Sequence, residues 1–232
     1  MMMLVTLASL FFVRSIKRGS LADCGGYIIS GAAASYIHLF GILILPAQFA
    51  SVFFFRPCRR IAKRVIGGAL AIGIFSMGAF ALAMRGYQGQ DDWIPSISTW
   101  AFTQLFYILA GASRDIVPGS AAVAFSLMGF RFELSSLLLW SYLAAIALAM
   151  IYPGRASIGA KVYLLLSIVT PICLTIIVSH FKHLFVTRYL LIVLPFFVIA
   201  AAMGIRQIPW RAAAVAVAAA ITVMSLVEDY SY

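Results

Sequence analysis

Two short basic clusters bracket a long apolar run, and this arrangement constrains the fold more than any other feature of the chain. The clusters are Arg14-Ser15-Ile16-Lys17-Arg18 and Arg56-Pro57-Cys58-Arg59-Arg60-Ile61-Ala62-Lys63-Arg64, with residues 24–55 between them. Lys and Arg gather at the cytoplasmic ends of membrane segments. A segment with both ends inside crosses twice or not at all. As one helix, 24–55 would reach ~48 Å, far beyond the ~30 Å hydrocarbon core. The expected solution is a tight helical hairpin, 24–37 outward and 39–55 back. Its turn falls near Ser35-Tyr36-Ile37-His38-Leu39-Phe40-Gly41.

Eight other apolar runs fill the chain: 1–13, 65–84, 99–113, 116–130, 134–152, 162–179, 189–205 and 211–227. The composition is 64% hydrophobic and 10% charged, with a mean hydropathy of +1.04. Soluble domains carry about 25% charged residues, so this chain has too little polar surface to cover one. The 17 glycines show no period, which excludes collagen. The three cysteines, Cys24, Cys58 and Cys173, are far apart and lack metal-site or redox spacing. No metal or cofactor is expected. The expected fold class is all-α, a polytopic transmembrane helical bundle forming one domain over 1–232, with the lipid bilayer as its first partner. The net charge of +10 reads as loop bias, not as a nucleic-acid footprint.

Run 1–13 would rise only ~20 Å as a helix, so either this helix is interfacial or, the preferred expectation, the chain begins part-way through a span. Run 65–84 leads outward to the polar stretch 85–95. Residues 98–113 are half polar, with Thr99, Thr103 and Tyr107 in a stripe beside Gln104. Ile97, Ala101, Leu105, Ile108 and Ala112 line another face. An amphipathic helix near 98–112, lying on the outer surface, is expected. Run 116–130 is short, and parity requires that 99–113 and 116–130 both cross or neither does. This gives about eight membrane segments, or ten if 99–130 crosses. Twelve of the 17 Lys and Arg then fall inside, against one acidic residue, Asp23.

The same topology gathers His38, His180, His183, Asp91, Asp92, Lys182 and Arg188 at the outer face. The densest group is Ser179-His180-Phe181-Lys182-His183-Leu184-Phe185-Val186-Thr187-Arg188-Tyr189. Arg188 opens an apolar helix, whose N-terminus already favours anions, and a guanidinium there can clamp a phosphate bidentately. Lys182 and His183 can add charge. Arg188 and Tyr189 read equally well as ordinary interface anchors. His38 sits in a turn at membrane depth, where backbone must be enclosed by protein or line a cavity. Trp93, Trp100 and Tyr107 suit an aromatic belt. Asp91 and Asp92 read as a solvated loop pair, with no catalytic assignment.

Three stretches, in order, resemble polytopic GT-C glycosyltransferases that use polyprenyl-phosphate sugars. The likeness is to the family-39 group of protein mannosyltransferases and aminoarabinose transferases. Tyr36-Ile37-His38-Leu39-Phe40-Gly41 with Pro46-Ala47-Gln48 is similar to the family's Tyr-x-His-aromatic hairpin and downstream Ala-Gln. Gln90-Asp91-Asp92-Trp93-Ile94-Pro95 is similar to its Trp-Ile-Pro loop. Phe185-Val186-Thr187-Arg188-Tyr189-Leu190-Leu191 with Pro195 is similar to its Phe-x-x-Arg-Tyr-Leu…Pro signature. The resemblance covers most of residues 5–205. It implies transfer of a sugar from a polyprenyl-phosphate donor at the outer face of the cytoplasmic membrane. It places Arg188 near the donor phosphate, in agreement with the anion reading that adds Lys182 and His183, and leaves Tyr36, His38, Trp93 and Tyr189 as structural or site-lining candidates. The family's catalytic aspartate belongs to a first outer loop that would precede residue 1, so no catalytic residue is assigned. The resemblance thus implies a chain lacking its N-terminal catalytic part and inactive alone. The alternatives are a non-catalytic membrane subunit, or a transporter-like protein with an outer anion-attracting cluster. Against the transporter, no apolar run carries the midplane charges such proteins use.

The orientation is testable in a chain whose native cysteines are replaced by alanine. In intact cells, Gly89→Cys is expected to label with an impermeant maleimide and Ala62→Cys only after lysis; the reverse pattern overturns the topology.

Overall fold

The computed structural model describes residues 1–55, 57–86, 99–111, 124–127, 130–152, 157–180 and 187–230. Among these the chain is helical, apart from one short two-stranded ribbon. The helices are α1 (Met2–Arg18), α2 (Leu21–Ile37), α3 (Ile44–Phe55), α4 (Arg59–Gly86), α5 (Thr99–Leu109), α6 (Leu134–Ile151), α7 (Ile158–Ser179), α8 (Leu194–Ile205) and α9 (Arg211–Tyr230). Tighter 3-10 turns, Leu39–Leu43 and Thr187–Val193, lead into α3 and α8. Among the described residues, three helical stretches are long and apolar enough to cross a membrane: Arg59–Ala81, Leu134–Ile151 and Ile158–Ser179. Shorter apolar stretches cover Leu39–Phe55, Tyr189–Ile205 and Arg211–Val227. The residues form two compact units, Met1–Ile97 with Ser157–Phe196, and Ser98–Ala156 with Phe197–Tyr232.

In the first unit, α1 runs five residues past the apolar stretch 1–13 and takes in the basic cluster. Lys17 and Arg18 occupy its last turn, where positive charge complements the helix dipole. Gly19 ends it in the left-handed conformation (φ 66°), its N–H bonded to the Ser15 carbonyl. A side chain there would be strained by its φ and would also meet Ile61 at 3.1 Å. α2 returns alongside α1, with an Arg14–Asp23 ion pair at 3.2 Å near the joint.

The expected hairpin is present. α2 ends at Ile37, and the chain reverses through His38 and the first 3-10 turn. Gly41 then lies against the Ala34 carbonyl, too close for a Cβ. Farther from the turn, the Tyr27 hydroxyl donates to Gln48 Oε1 at 2.8 Å. Both side chains are fully buried. An aromatic cluster surrounds this bond: Phe12 lies 5.7 Å from Tyr27 and 5.2 Å from Tyr163 between ring centres. Phe55 and Phe196 close around Tyr163 at 6.2 and 6.0 Å. Ser9, Gln48 and Ser167 crowd the Tyr163 hydroxyl without a well-formed bond to it.

α4 packs along α2 in the same direction, since Gly68 meets Tyr27, Gly31 meets Ile72 and Gly78 meets the Tyr36 hydroxyl. Glycines at these crossings let apolar helices approach closely, the packing mode available where lipid competes with every apolar contact. α7 runs antiparallel to α3, its Gly159 against Phe55. Pro171 inside α7 removes one ladder bond, and Thr175 Oγ1 donates to the Pro171 carbonyl at 2.8 Å. The unit therefore has two poles. One carries both basic clusters, tied together where Arg64 Nη1 donates to the Gly19 carbonyl at 2.8 Å. The other carries His38.

In the second unit, α5, α6 and α9 share a core of Tyr107, Ala110, Leu138, Leu139 and Ile221. A helix near 98–112 is borne out as α5, but its faces differ from expectation. Tyr107, assigned to the polar stripe and an aromatic belt, is buried, because its hydroxyl finds Ser136 Oγ at 3.0 Å. Within run 116–130, Ala124–Leu127 pairs antiparallel with Phe130–Glu133, so these residues form a ribbon and not a crossing helix. Gly204 of α8 fits directly against the Ala145 carbonyl of α6.

Gln48→Leu is expected to lower stability by about 1–3 kcal/mol, the cost of leaving a buried hydroxyl unpaired. Tyr27→Phe with Gln48→Leu should cost less than the two single changes added together. Thermal unfolding of the purified chain in detergent reads both effects.

Candidate functional site

Every described residue of the candidate site lies at the pole of the first unit opposite the basic clusters. His38 builds it. The residue closes α2 in an extended conformation (φ −157°, ψ 121°), its N–H bonded to the Ala34 carbonyl. Its ring nitrogen Nδ1 accepts from the Phe40 N–H at 3.3 Å, and its carbonyl accepts from Gly41 N–H at 2.8 Å. The imidazole therefore caps the 3-10 turn that starts the return arm. With Nδ1 accepting, the neutral ring carries its proton on Nε2.

Three rings from two distant stretches meet here. His38 stands edge-on to Tyr189 at 4.8 Å, and Phe40 lies 5.0 Å from Tyr189 and 5.5 Å from His38. The hairpin turn and the Thr187–Val193 segment are about 150 residues apart in sequence, yet they share this cluster. Such edge-to-face pairs contribute about 0.5–1.5 kcal/mol each beyond their burial. Arg188 lies in the same 3-10 turn as Tyr189, next to it in the chain. Tyr36, two residues before His38, is largely exposed and lays its hydroxyl over Gly78 of α4. His180 caps α7, its Nδ1 2.9 Å from the Ile176 carbonyl. Lys182, His183, Trp93, Asp91 and Asp92 fall outside the described residues.

Beneath the rings an apolar cavity of about 440 Å³ opens between the first 3-10 turn, α4 and α7. Leu39, Phe40, Met77, Phe80, Leu174 and Val178 are among its walls. Its two hydroxyl-bearing residues are turned to their own helices: Ser76 Oγ donates to the Ile72 carbonyl and Thr175 Oγ1 to that of Pro171. The hydroxyl donors are thus spent on backbone, and the lining is hydrocarbon in character. A second apolar cavity, about 530 Å³, flanks the other side of the same turn, and Ile42 and Leu43 line both.

The arrangement suits an amphiphile, with an apolar cavity whose wall includes Phe40, one of the three clustered rings. No cluster of His, Cys, Asp or Glu able to hold a metal occurs among the described residues. Two features escaped sequence reasoning: the packing of Phe40 on Tyr189, and the groove itself. Phe40 stands in the hairpin motif, but nothing in the sequence pattern joins it to the 187–193 segment. The groove arises from side chains of three helices and has no signature in any one of them. No protein-family model, curated protein or solved structure matches the chain.

His38 is half-buried, and that burial holds its imidazole below the usual value of 6.5. Between the folded and unfolded pKa values the unfolded chain binds more protons, so stability falls as pH drops through that window. The expected outcome is a melting temperature in detergent that falls from pH 7 to pH 5. His38→Gln should flatten this dependence; an imidazole signal titrating above 6.5 by NMR would contradict the burial.

Proposed function

We propose that this chain is a multi-pass protein of the cytoplasmic membrane, with about eight membrane segments. It forms the donor-binding part of a GT-C-type glycosyltransferase, taking its sugar from a polyprenyl-phosphate carrier at the outer face. The His38 pole is the outer one. The isoprenoid lies in the groove beside Leu39–Leu43, and the phosphate meets Arg188 with help from Lys182 and His183. Tyr36, His38, Trp93 and Tyr189 frame the junction between lipid and sugar.

One observation carries this reading. Two stretches singled out by the family resemblance, 36–41 and 185–191, supply the three rings of a single cluster, and an apolar cavity begins at one of those rings, Phe40. A carrier lipid needs this combination, because its phosphate must stay at the interface while its tail stays in hydrocarbon. Transfer breaks the bond between the sugar's anomeric carbon and the carrier phosphate oxygen. The phosphate leaves with the electron pair, the acceptor oxygen forms the new bond, and its proton goes to a general base. Arg188 would act on the leaving side by stabilising the phosphate charge as the bond opens. The base is assigned to no residue of this chain.

Binding separates this role from catalysis. The reconstituted chain should capture a photoreactive polyprenyl phosphate, and Arg188→Ala should weaken capture about tenfold or more. That is the loss of a charge-assisted hydrogen bond worth about 1.5–3 kcal/mol. Arg188→Lys should recover part of it, as a point charge without the bidentate fork. Unchanged capture by Arg188→Ala with normal membrane insertion removes the phosphate role.

A further inference from the structure

At the pole opposite His38, the fold merges the two basic clusters into one surface. Gly19 and Ile61 are in contact, and Arg64 reaches the Gly19 carbonyl. Lys17 and Arg18 immediately precede that junction, while Arg59, Arg60 and Lys63 fall within two residues of Ile61 on α4. Two of the seven described cations of the two clusters have structural work: Arg14 pairs with Asp23, and Arg64 ties α4 to the α1–α2 joint. The other five are exposed. Asp23 is the one acidic residue at this pole among the described residues, and it is buried and engaged by Arg14. Among the described residues, no ion pair neutralises the five.

The surface around these cations decides the kind of partner. Leu21 is 70% exposed two residues past Gly19, and Phe53 and Phe54 are 70% and 52% exposed at the end of α3. A soluble acidic protein or a nucleic acid would leave these side chains in water. A lipid covers them with its acyl chains while its headgroup meets the cations. We propose that this pole is a binding site for anionic phospholipid headgroups, with the phosphates held by Lys17, Arg18, Arg59, Arg60 and Lys63. The apolar rim at Leu21, Phe53 and Phe54 takes the acyl chains. Juxtamembrane cations attract anionic headgroups additively and lose that attraction within a Debye length. Convergence of two chain segments makes the charge local in a way that neither cluster achieves alone. The site would anchor the end of the bundle distant from the carrier groove, and it does not depend on the proposed sugar transfer.

Native mass spectrometry of the folded chain, purified in detergent and offered equal phosphatidylglycerol and phosphatidylcholine, tests the site. The wild-type chain is expected to retain phosphatidylglycerol at least about tenfold better at low salt, and to lose most of that preference at 1 M salt. The K17Q/R18Q/R59Q/R60Q/K63Q variant should fall to near-equal retention, while R206Q/R211Q, which alters cations of the second unit, keeps most of the preference. The salt series covers the case in which the five-fold variant fails to fold. Equal retention of the two lipids by the wild-type chain at low salt overturns the site. So does a wild-type preference that survives 1 M salt, or one that survives in the folded five-fold variant.

Discussion

The hydrogen bond from Tyr27 to Gln48 is the interaction on which the first unit depends. Both side chains are fully buried in an environment that offers little alternative to pairing. In hydrocarbon, apolar contacts alone barely distinguish one helix register from another, because lipid is as apolar as the partner helix. A polar pair does distinguish them. The Tyr27–Gln48 bond and the Gly41–Ala34 contact lie at symmetric distances from the reversal, so together they set how the return arm lies on α2. With that register in place, the turn holds His38 and Phe40 where Tyr189 can meet them.

The same pivot orders the rest of the unit. Phe12 of α1 packs on both Tyr27 and Tyr163 of α7, and Phe55 of α3 and Phe196 of α8 close around Tyr163. Helices α2, α4 and α7 then run toward the His38 pole, and α1 and α3 run away from it. The cations collect at one end as a consequence, and the groove opens at the other. The two ends serve opposite chemistries. One is charged and meets headgroups; the other gathers aromatic rings beside an apolar cavity.

Much of this was legible in the residues. The bracketing of 24–55 by cations required an even number of crossings, and the hairpin with its turn at 35–41 followed from length alone. The Tyr27–Gln48 bond was not legible: Gln48 stood out only as part of the Pro46-Ala47-Gln48 likeness, and its partner needs the fold. The end of α1 was misplaced at Val13, because an apolar count stops at the first cation whereas a helix continues until a residue such as Gly19 ends it. Tyr107 was placed on a polar face, since periodicity sees the hydroxyl and not the Ser136 that satisfies it. The ribbon at 124–133 was hidden in an apolar run whose period alone does not separate short strands from helix. At the site, the sequence pattern marked His38, Arg188 and Tyr189, but only tertiary packing joins His38 to Tyr189 and adds Phe40.

The central claim is that the His38 pole holds a carrier lipid with its tail beside the 3-10 turn. Mapping the adducts of a polyprenyl phosphate that carries a photoreactive group near the start of its tail tests it most directly. The account predicts adducts concentrated in residues 39–43, 73–81 and 174–178, displaced by excess unlabelled polyprenyl phosphate. Adducts spread evenly over lipid-facing helices, or concentrated in α6 and α9, would contradict it.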